Sequence, residues 1–429
     1  MKFIPFALAR SIVLAALTVD MSTRVDAQET PGGPTIVIRA EKILDGRGGR
    51  VANGAIVVRG ERIVDVLRGA AANSAAQRAG VLYDLGAATV LPGLIDGHVH
   101  VNSYFNGKGR IHSRSDGDTP TQSALAIANN LHRMLLSGVT TAQSMGAAED
   151  AAFREAIANR AIAGPRLITT LNPITDETLT PDSLRALVRQ RKADGADAIK
   201  IFASKSIRDG GGTTMSAEQL GALCGEAKAN GLRTLVHAHS EESMRLAVLA
   251  GCTQIEHGIF STPEVLRLMA DHGTFFDPQC GLIFRNYLEN RAKYEGTGNF
   301  TEEGFAAMQR AIPMAANIIR QAQGTPGLKL VWGTDAVAGA HGREVEDLIC
   351  RVREGGQPAL AALTSATSGG ARALGLDREI GTLASGYRAD IIAVAGDPTD
   401  RIEVLRDVTF VMRDGRVYRV EARARVLTR

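Results

Sequence analysis

From Pro92 to about Gly375, short apolar runs alternate with stretches whose apolar residues recur at helical spacing. That alternation predicts a parallel sheet with crossover helices. Eight runs read as strands: Leu91–Val101, Val139–Met145, Arg166–Thr170, Ala198–Ala203, Thr234–His239, Gln254–Gly258, Thr274–Asp277 and Leu328–Asp335. Between and after them lie helical patterns at Thr121–Leu136, Glu149–Ala163, Pro181–Ala193, Ser216–Asn230, Glu241–Ala250, Pro263–His272, Glu302–Gln323 and Pro358–Leu374. Ser216-Ala-Glu-Gln has the form of a helix-opening capping box, and Gly231, Gly251 and Gly273 sit where left-handed helix ends favour glycine. Eight such units predict an α/β fold, a (β/α)8 TIM-like barrel; an open doubly wound sheet is the structural competitor.

The two flanks have a different rhythm. Thr35–Val66 breaks into short Ile- and Val-rich runs around Asp45-Gly46 and Gly60-Glu61, and Ile391–Val394 and Val408–Val420 behave alike around Arg413-Asp414-Gly415. These ends are expected to pair as a small β-sandwich, contributed by residues 28–90 and 376–429, beside a barrel over 91–375. Residues 1–27 read as a secretory signal: Lys2 and Arg10 flank or enter an apolar stretch too short to span a bilayer, and Val25-Asp26-Ala27 resembles a cleavage site. A periplasmic or secreted location, with no stable membrane span after processing, is the matching expectation.

Composition narrows the function little. The 429 residues are 45% hydrophobic and 22% charged with a net charge of +3, so a nucleic-acid partner is not indicated. Cys224, Cys252, Cys280 and Cys350 fall in or beside core elements without a CxxC pair, and are expected to be free, buried thiols. A homo-oligomer is left open.

Candidate chemistry gathers at strand ends. His98 and His100, two apart on one strand, share a face and suit a first-row metal. His237 ends the fifth strand, His257 the sixth and Asp335 the eighth, with His239 just beyond His237. An isolated histidine at such a place is usually structural, but the C-terminal ends of barrel strands share one mouth, where barrel active sites lie. Lys200, inside the apolar run Ala198-Ile-Lys-Ile, is either paired with an acid or desolvated to a nucleophilic amine able to add carbon dioxide as a carbamate.

Together LPGLIDGHVH (91–100), ADAIKIFAS (196–204), TLVHAHS (234–240), QIEHGIF (254–260), VWGTDAVAGAHG (331–342) and GTLASGYRADIIAVAGDP (381–398) resemble the amidohydrolase superfamily, and within it the imidazolonepropionase-like group that includes metal-dependent dipeptidases. The resemblance implies two divalent metal ions bridged by hydroxide, with zinc the best match to this donor set and cobalt, manganese and nickel open. It assigns His98, His100 and Asp335 to the more buried ion, His237 and His257 to the second, and carbamylated Lys200 to both. Asp335 would also act as general base and acid, and His239 would stand near the substrate or behind a ligand. Imidazolonepropionases proper use one metal and lack the lysine, so Lys200 argues against that activity.

The activity implied is hydrolysis of a small amide, a dipeptide or N-acyl amino acid. A cyclic amide, lactone or phosphotriester on the same site is the alternative, and the intact ligand set counts against a non-catalytic metal-binding scaffold. Arg285, Tyr287 and Arg291, in the strand-poor gap from Cys280 to Phe300, and His341 are candidates for recognising a substrate carboxylate; solvated loop residues would look the same.

Overall fold

The computed structural model describes residues 33–113, 115–421 and 424–428; the expected signal at 1–27 lies outside them. The chain opens with β1 (Ile36–Leu44), β2 (Arg50–Arg59), β3 (Arg62–Arg68), β4 (Val81–Asp84) and β5 (Thr89–Pro92). It continues with β6 (Leu94–Val99), β7 (Val139–Ser144), β8 (Arg166–Thr169), β9 (Ala198–Phe202), β10 (Arg233–Ala238), β11 (Gln254–His257), β12 (Phe275–Asp277) and β13 (Lys329–Leu330). It closes with β14 (Ile391–Val394), β15 (Val408–Arg413), β16 (Arg416–Val420) and β17 (Arg425–Thr428).

Strands from both ends join in one nine-stranded hydrogen-bonded sheet, ordered β16-β15-β14-β5-β1-β2-β3, with β4 on β1 and β17 on β4. The two ends, expected to pair with each other, do so through β5. The run read as one strand from Leu91 breaks after Pro92, where β5 ends; β5 pairs with β14 (Leu91↔Ile392) and with β1 (Ile43↔Val90). β5 thereby stitches the N-terminal strands to the C-terminal ones, and Ile38, Ile56, Ile391 and Phe410 bury in one core.

The central strands are all parallel, in a five-stranded sheet (β13-β12-β11-β10-β9) and a three-stranded one (β6-β7-β8). Single bridges link their edges, Ile174 to Ile201 on one side and Val99 to Ala336 on the other. β13 is short because the chain beyond it leaves regular strand geometry while still running beside β6: Gly97 N donates to Trp332 O at 2.9 Å and Asp335 N to His98 O at 2.7 Å. On β9, Ile199 and Ile201 pack outward with Leu220 and Leu223 of the crossover helix Ala217–Ala229. Ala198 packs instead with Leu235 and Met145. The helices at Pro181–Ala193, Pro263–His272 and Glu302–Gln323 have the bounds the pattern predicts. Ser216 and Gln219 form both bonds of the capping box.

Two corrections concern segments near the chemistry. The gap after Cys280 is not an irregular loop but two helices, Leu282–Glu289 and Arg291–Tyr294. The cysteines are not free: Cys224 pairs with Cys252 and Cys280 with Cys350. Each cysteine alone has the burial of a small apolar side chain; its partner is a neighbour only once adjacent β/α units pack.

Candidate metal centre

Alternation along β6 turns His98 and His100 to one side, and β10 does the same for His237. His257 and Asp335 arrive differently. Both have left-handed backbones, φ 70° and 55°, conformations rare for residues with a Cβ and concentrated at functional sites. On β11, Glu256 occupies the face that period-2 alternation sends inward; the left-handed turn at His257 swings the next side chain into the same mouth.

The six residues assigned to the ions come together. Asp335 Oδ1 lies 3.4 Å from His98 Nε2 and 3.1 Å from His100 Nε2. One ligand atom from each of His98, His257 and Asp335 fits within 4.8 Å of the others. The His257 ring lies 5.1 Å from that of His98 and 4.5 Å from that of His237. Lys200 Nζ stands 3.5 Å from His98 Nε2. Lys200 is 1% exposed, and among the described residues no carboxylate lies within 4.0 Å of its ammonium. No acid among the described residues therefore pairs directly with the lysine. Burial lowers the Lys200 ammonium, against the more distant attraction of Glu256, Asp335 and Asp277, as a carbamate-forming amine requires. His239 stacks on His257 with ring centres 5.0 Å apart, and its buried Nδ1 has no partner among the described residues.

Electrostatics favour cation binding. Burial lowers His98, His237 and His257 well below the usual imidazole range and His239 to about 3, so these four imidazoles are neutral at pH 7. Burial pushes Asp335 up, but His98, His100 and Lys200 outweigh it and hold the carboxyl at about 2. Neutral imidazoles, one anionic carboxylate and a desolvated amine form a donor set that fits divalent ions.

Behind these groups is a layer that motif reading did not find. Glu256 Oε2 accepts from His98 Nδ1 at 2.8 Å, which turns Nε2 toward Asp335. Gln279 Oε1 lies 2.8 Å from His257 Nδ1, and Gln279 Nε2 donates to Asp277 at 3.1 Å. Asp277 is clamped by buried Arg351 at 3.2 Å, and Arg351 also bonds Asp347 at 3.0 Å. Burial and the Glu256 charge push Asp277 well above the usual carboxylate range. Gly333 is required here: a Cβ on it would meet Asp277 Oδ2 at 2.1 Å and His98 Cβ at 2.7 Å. Signals were available for Glu256, one residue before His257 in an apolar strand, and for Asp277, at the end of a predicted strand; the pairing of Asp277 with Arg351, 74 residues away, had none.

The centre opens into a cleft of about 640 Å³ lined by both metal-site residues and Asn172, Arg208, Phe284 and Tyr287. Of the residues proposed from sequence to read a carboxylate, Tyr287 is in this lining, but Arg285 and Arg291 are not. Arg285 pairs with Glu354 and Arg291 with Glu295 and Glu302. His341 Nε2 bonds Ser103 O at 3.2 Å, outside the cleft lining.

The model of the amidohydrolase family matches residues 89–425, which include this whole constellation. The chain belongs to the amidohydrolase family. Among curated proteins it is similar to ochratoxinase of Aspergillus niger, 28% identical over 248 residues, 56% of this chain and 49% of that protein. The chain thus matches about half the length of that relative. Among solved structures, a Xaa-Pro dipeptidase with methionine bound in its active site superposes with a TM-score of 0.78 at 29% identity, over 90% of this chain and all of that one. The A. niger ochratoxinase structure, at 21% identity and a TM-score of 0.75 over 90% of this chain and 96% of that one, shares the fold. Amidohydrolases of this kind have a TIM-barrel-like α/β fold with an additional domain, in line with the parallel strands and the end sheet described above.

Proposed function

We propose that this protein is a two-metal amide hydrolase acting on dipeptides or N-acyl amino acids. The observation that carries the reading is the convergence of His98, His257 and Asp335 within 4.8 Å, next to a buried lysine without an acid partner. We read the two edge-bridged sheets as a closed eight-stranded barrel over about 91–375, and residues 28–90 and 376–429 as its companion domain. His98, His100 and Asp335 would hold one ion, His237 and His257 the other, and carbamylated Lys200 both; the nitrogen-rich set suits zinc. Bound ions of this kind lower the pKa of water and polarise a carbonyl.

The chain's own residues supply the remainder. Asp335 accepts the proton of the attacking water and returns it to the leaving amine. Glu256 and Gln279 keep His98 and His257 in fixed tautomers, which holds their other ring nitrogens on the site. His239, just beyond β10, is neutral with a buried nitrogen unpaired among the described residues, and would stand near the substrate carbonyl. The similarity to a Xaa-Pro dipeptidase and to ochratoxinase supports a small amide as substrate. A periplasmic or secreted enzyme fits the signal-like N-terminus and the two disulfides.

The test is to load the mature protein with zinc in bicarbonate, count bound metal, and read free amine from a panel of dipeptides and N-acyl amino acids. About two ions per chain and amine release from a related subset are expected. Two ions with no release across the panel would overturn the substrate class and point to cyclic amides, lactones or phosphotriesters; no bound metal would overturn the mechanism.

A further inference from the structure

We propose that Arg208 binds the terminal carboxylate of the substrate and thereby confines the enzyme to acyl amino acids and dipeptides with a free C-terminus. The inference rests on the amide-hydrolase reading above. Arg208 lies in the segment after β9, ten residues beyond the first residue of that strand, and lines the same cleft as His98, His237 and Asp335. It was not among the residues that sequence reasoning selected.

The placement of Arg208 is built. Ser206 caps the short turn Ile207–Asp209 by accepting from Arg208 N, and Lys205 N donates to Gly212 O at 2.8 Å, closing the loop on itself. Gly211 lets this loop press on the catalytic histidines: its φ is +67°, and a Cβ there would meet His239 Cβ at 2.9 Å. The same loop presents Lys205 O to His237 Nε2 at 3.3 Å. Arg208 is therefore held by a loop that also fixes a metal-site histidine.

The guanidinium is held on three sides and open in charge. Nε donates to Asn299 Oδ1 at 2.7 Å. The group stacks over Phe300, 4.3 Å from the ring centre, and stands 5.4 Å from the ring of Tyr287. Such aromatic support restrains a guanidinium without neutralising it. Among the described residues, no carboxylate lies within 4.0 Å of Arg208. By contrast, Arg285 and Arg291, on the helices that follow Cys280, are neutralised, the first by Glu354 and the second by Glu295 and Glu302. A half-buried, restrained cation facing a cleft without a counter-ion is matched by an anionic ligand, and the planar fork of arginine suits a carboxylate bidentately. A dipeptide or acyl amino acid, with its carbonyl at the metal centre, brings that carboxylate a few bonds from the scissile amide.

The experiment compares N-acetyl-L-amino acids with their carboxamides on the metal-loaded wild type, Arg208→Gln and Arg208→Lys, reading kcat and KM. For compounds that are not cleaved, binding to the same metal-loaded proteins is read by calorimetry. Arg208→Gln is expected to weaken the acid about 10- to 100-fold, mainly through KM or Kd, and the carboxamide by less than about 3-fold. Arg208→Lys should recover part of the loss for the acid alone. An equal loss on both compounds would show a structural role, and no loss on the acid would show another binder; either overturns the proposal. Acid-selective binding that depends on Arg208 without cleavage would uphold the arginine while refuting the hydrolysis reading. A wild type that binds neither acid nor carboxamide would overturn the carboxylate site.

Discussion

His257 and Asp335, at the mouth of the parallel strands, both hold left-handed backbones. Left-handed backbone at a residue bearing a Cβ costs about 1–3 kcal/mol, and such strain persists where the surroundings impose it. Here it brings two donors to a mouth that straight strands would deny them. Asp335→Asn keeps this geometry but removes the base, so turnover should fall about 10³-fold while most of the metal stays bound, measured by amine release alongside elemental analysis. Lys200→Ala removes the amine that would bridge the ions; bound metal should drop from about two per chain to about one or fewer. The bicarbonate-dependent ¹³C carbamate signal should also vanish, and retention of both would refute the bridging role. Glu256 reaches His98 only at the nitrogen turned away from Asp335, yet Glu256→Gln should weaken metal affinity about 10- to 100-fold in a chelator competition, because the anionic acceptor that fixes the His98 tautomer becomes neutral.

At the scale of elements, apolar periodicity was enough to place helices such as Pro181–Ala193 and Pro263–His272, since a 3.6-residue repeat has one buried face whatever it packs on. Strand ends were harder. The eighth strand was expected to run to Asp335 but is regular only over Lys329–Leu330, because Gly333 and Asp335 bend the chain around Asp277 and His98. The cysteines show the same limit from another side: periodicity reports burial, and pairing depends on which helix lies next to which loop. The Cys280–Cys350 bond ties the segment carrying Gln279 to the helix carrying Asp347 and Arg351, and its 70-residue separation exceeds the 28 of Cys224–Cys252. Replacing Cys280 and Cys350 together by serine should cost about 2–4 kcal/mol, and about 1 kcal/mol more than the other pair, in urea unfolding. Peptide mapping under non-reducing conditions should recover these two pairs.

Across the whole molecule, the end sheet and the parallel strands are joined by charge as well as by apolar contact. Arg166 at the start of β8 pairs with Asp390 at 2.6 Å and with Asp414 in the turn between β15 and β16. Arg166→Met leaves buried Asp390 without its cation, while Asp414 keeps Arg388 at 2.9 Å, which should lower stability on the order of 3 kcal/mol and shift a single cooperative urea midpoint. Two separate transitions would instead show that the end sheet unfolds by itself. Activity of the folded fraction should be unchanged, since Arg166 is remote from the cleft lining.

What the sequence determined by itself was everything that local spacing encodes: parallel β/α units, strand-rich ends, and candidate ligands placed at strand termini, because alternation and helical period act over a few residues. The joining of both ends through β5, the partners of the cysteines, the Glu256–Asp277–Arg351 support and the uncompensated Arg208 were decided only by the tertiary structure. Each depends on residues tens to hundreds of positions apart meeting in a closed arrangement. A charge is paired or unpaired only relative to neighbours that the fold supplies, which is why the sequence pointed to Arg285 and Arg291 and the structure to Arg208.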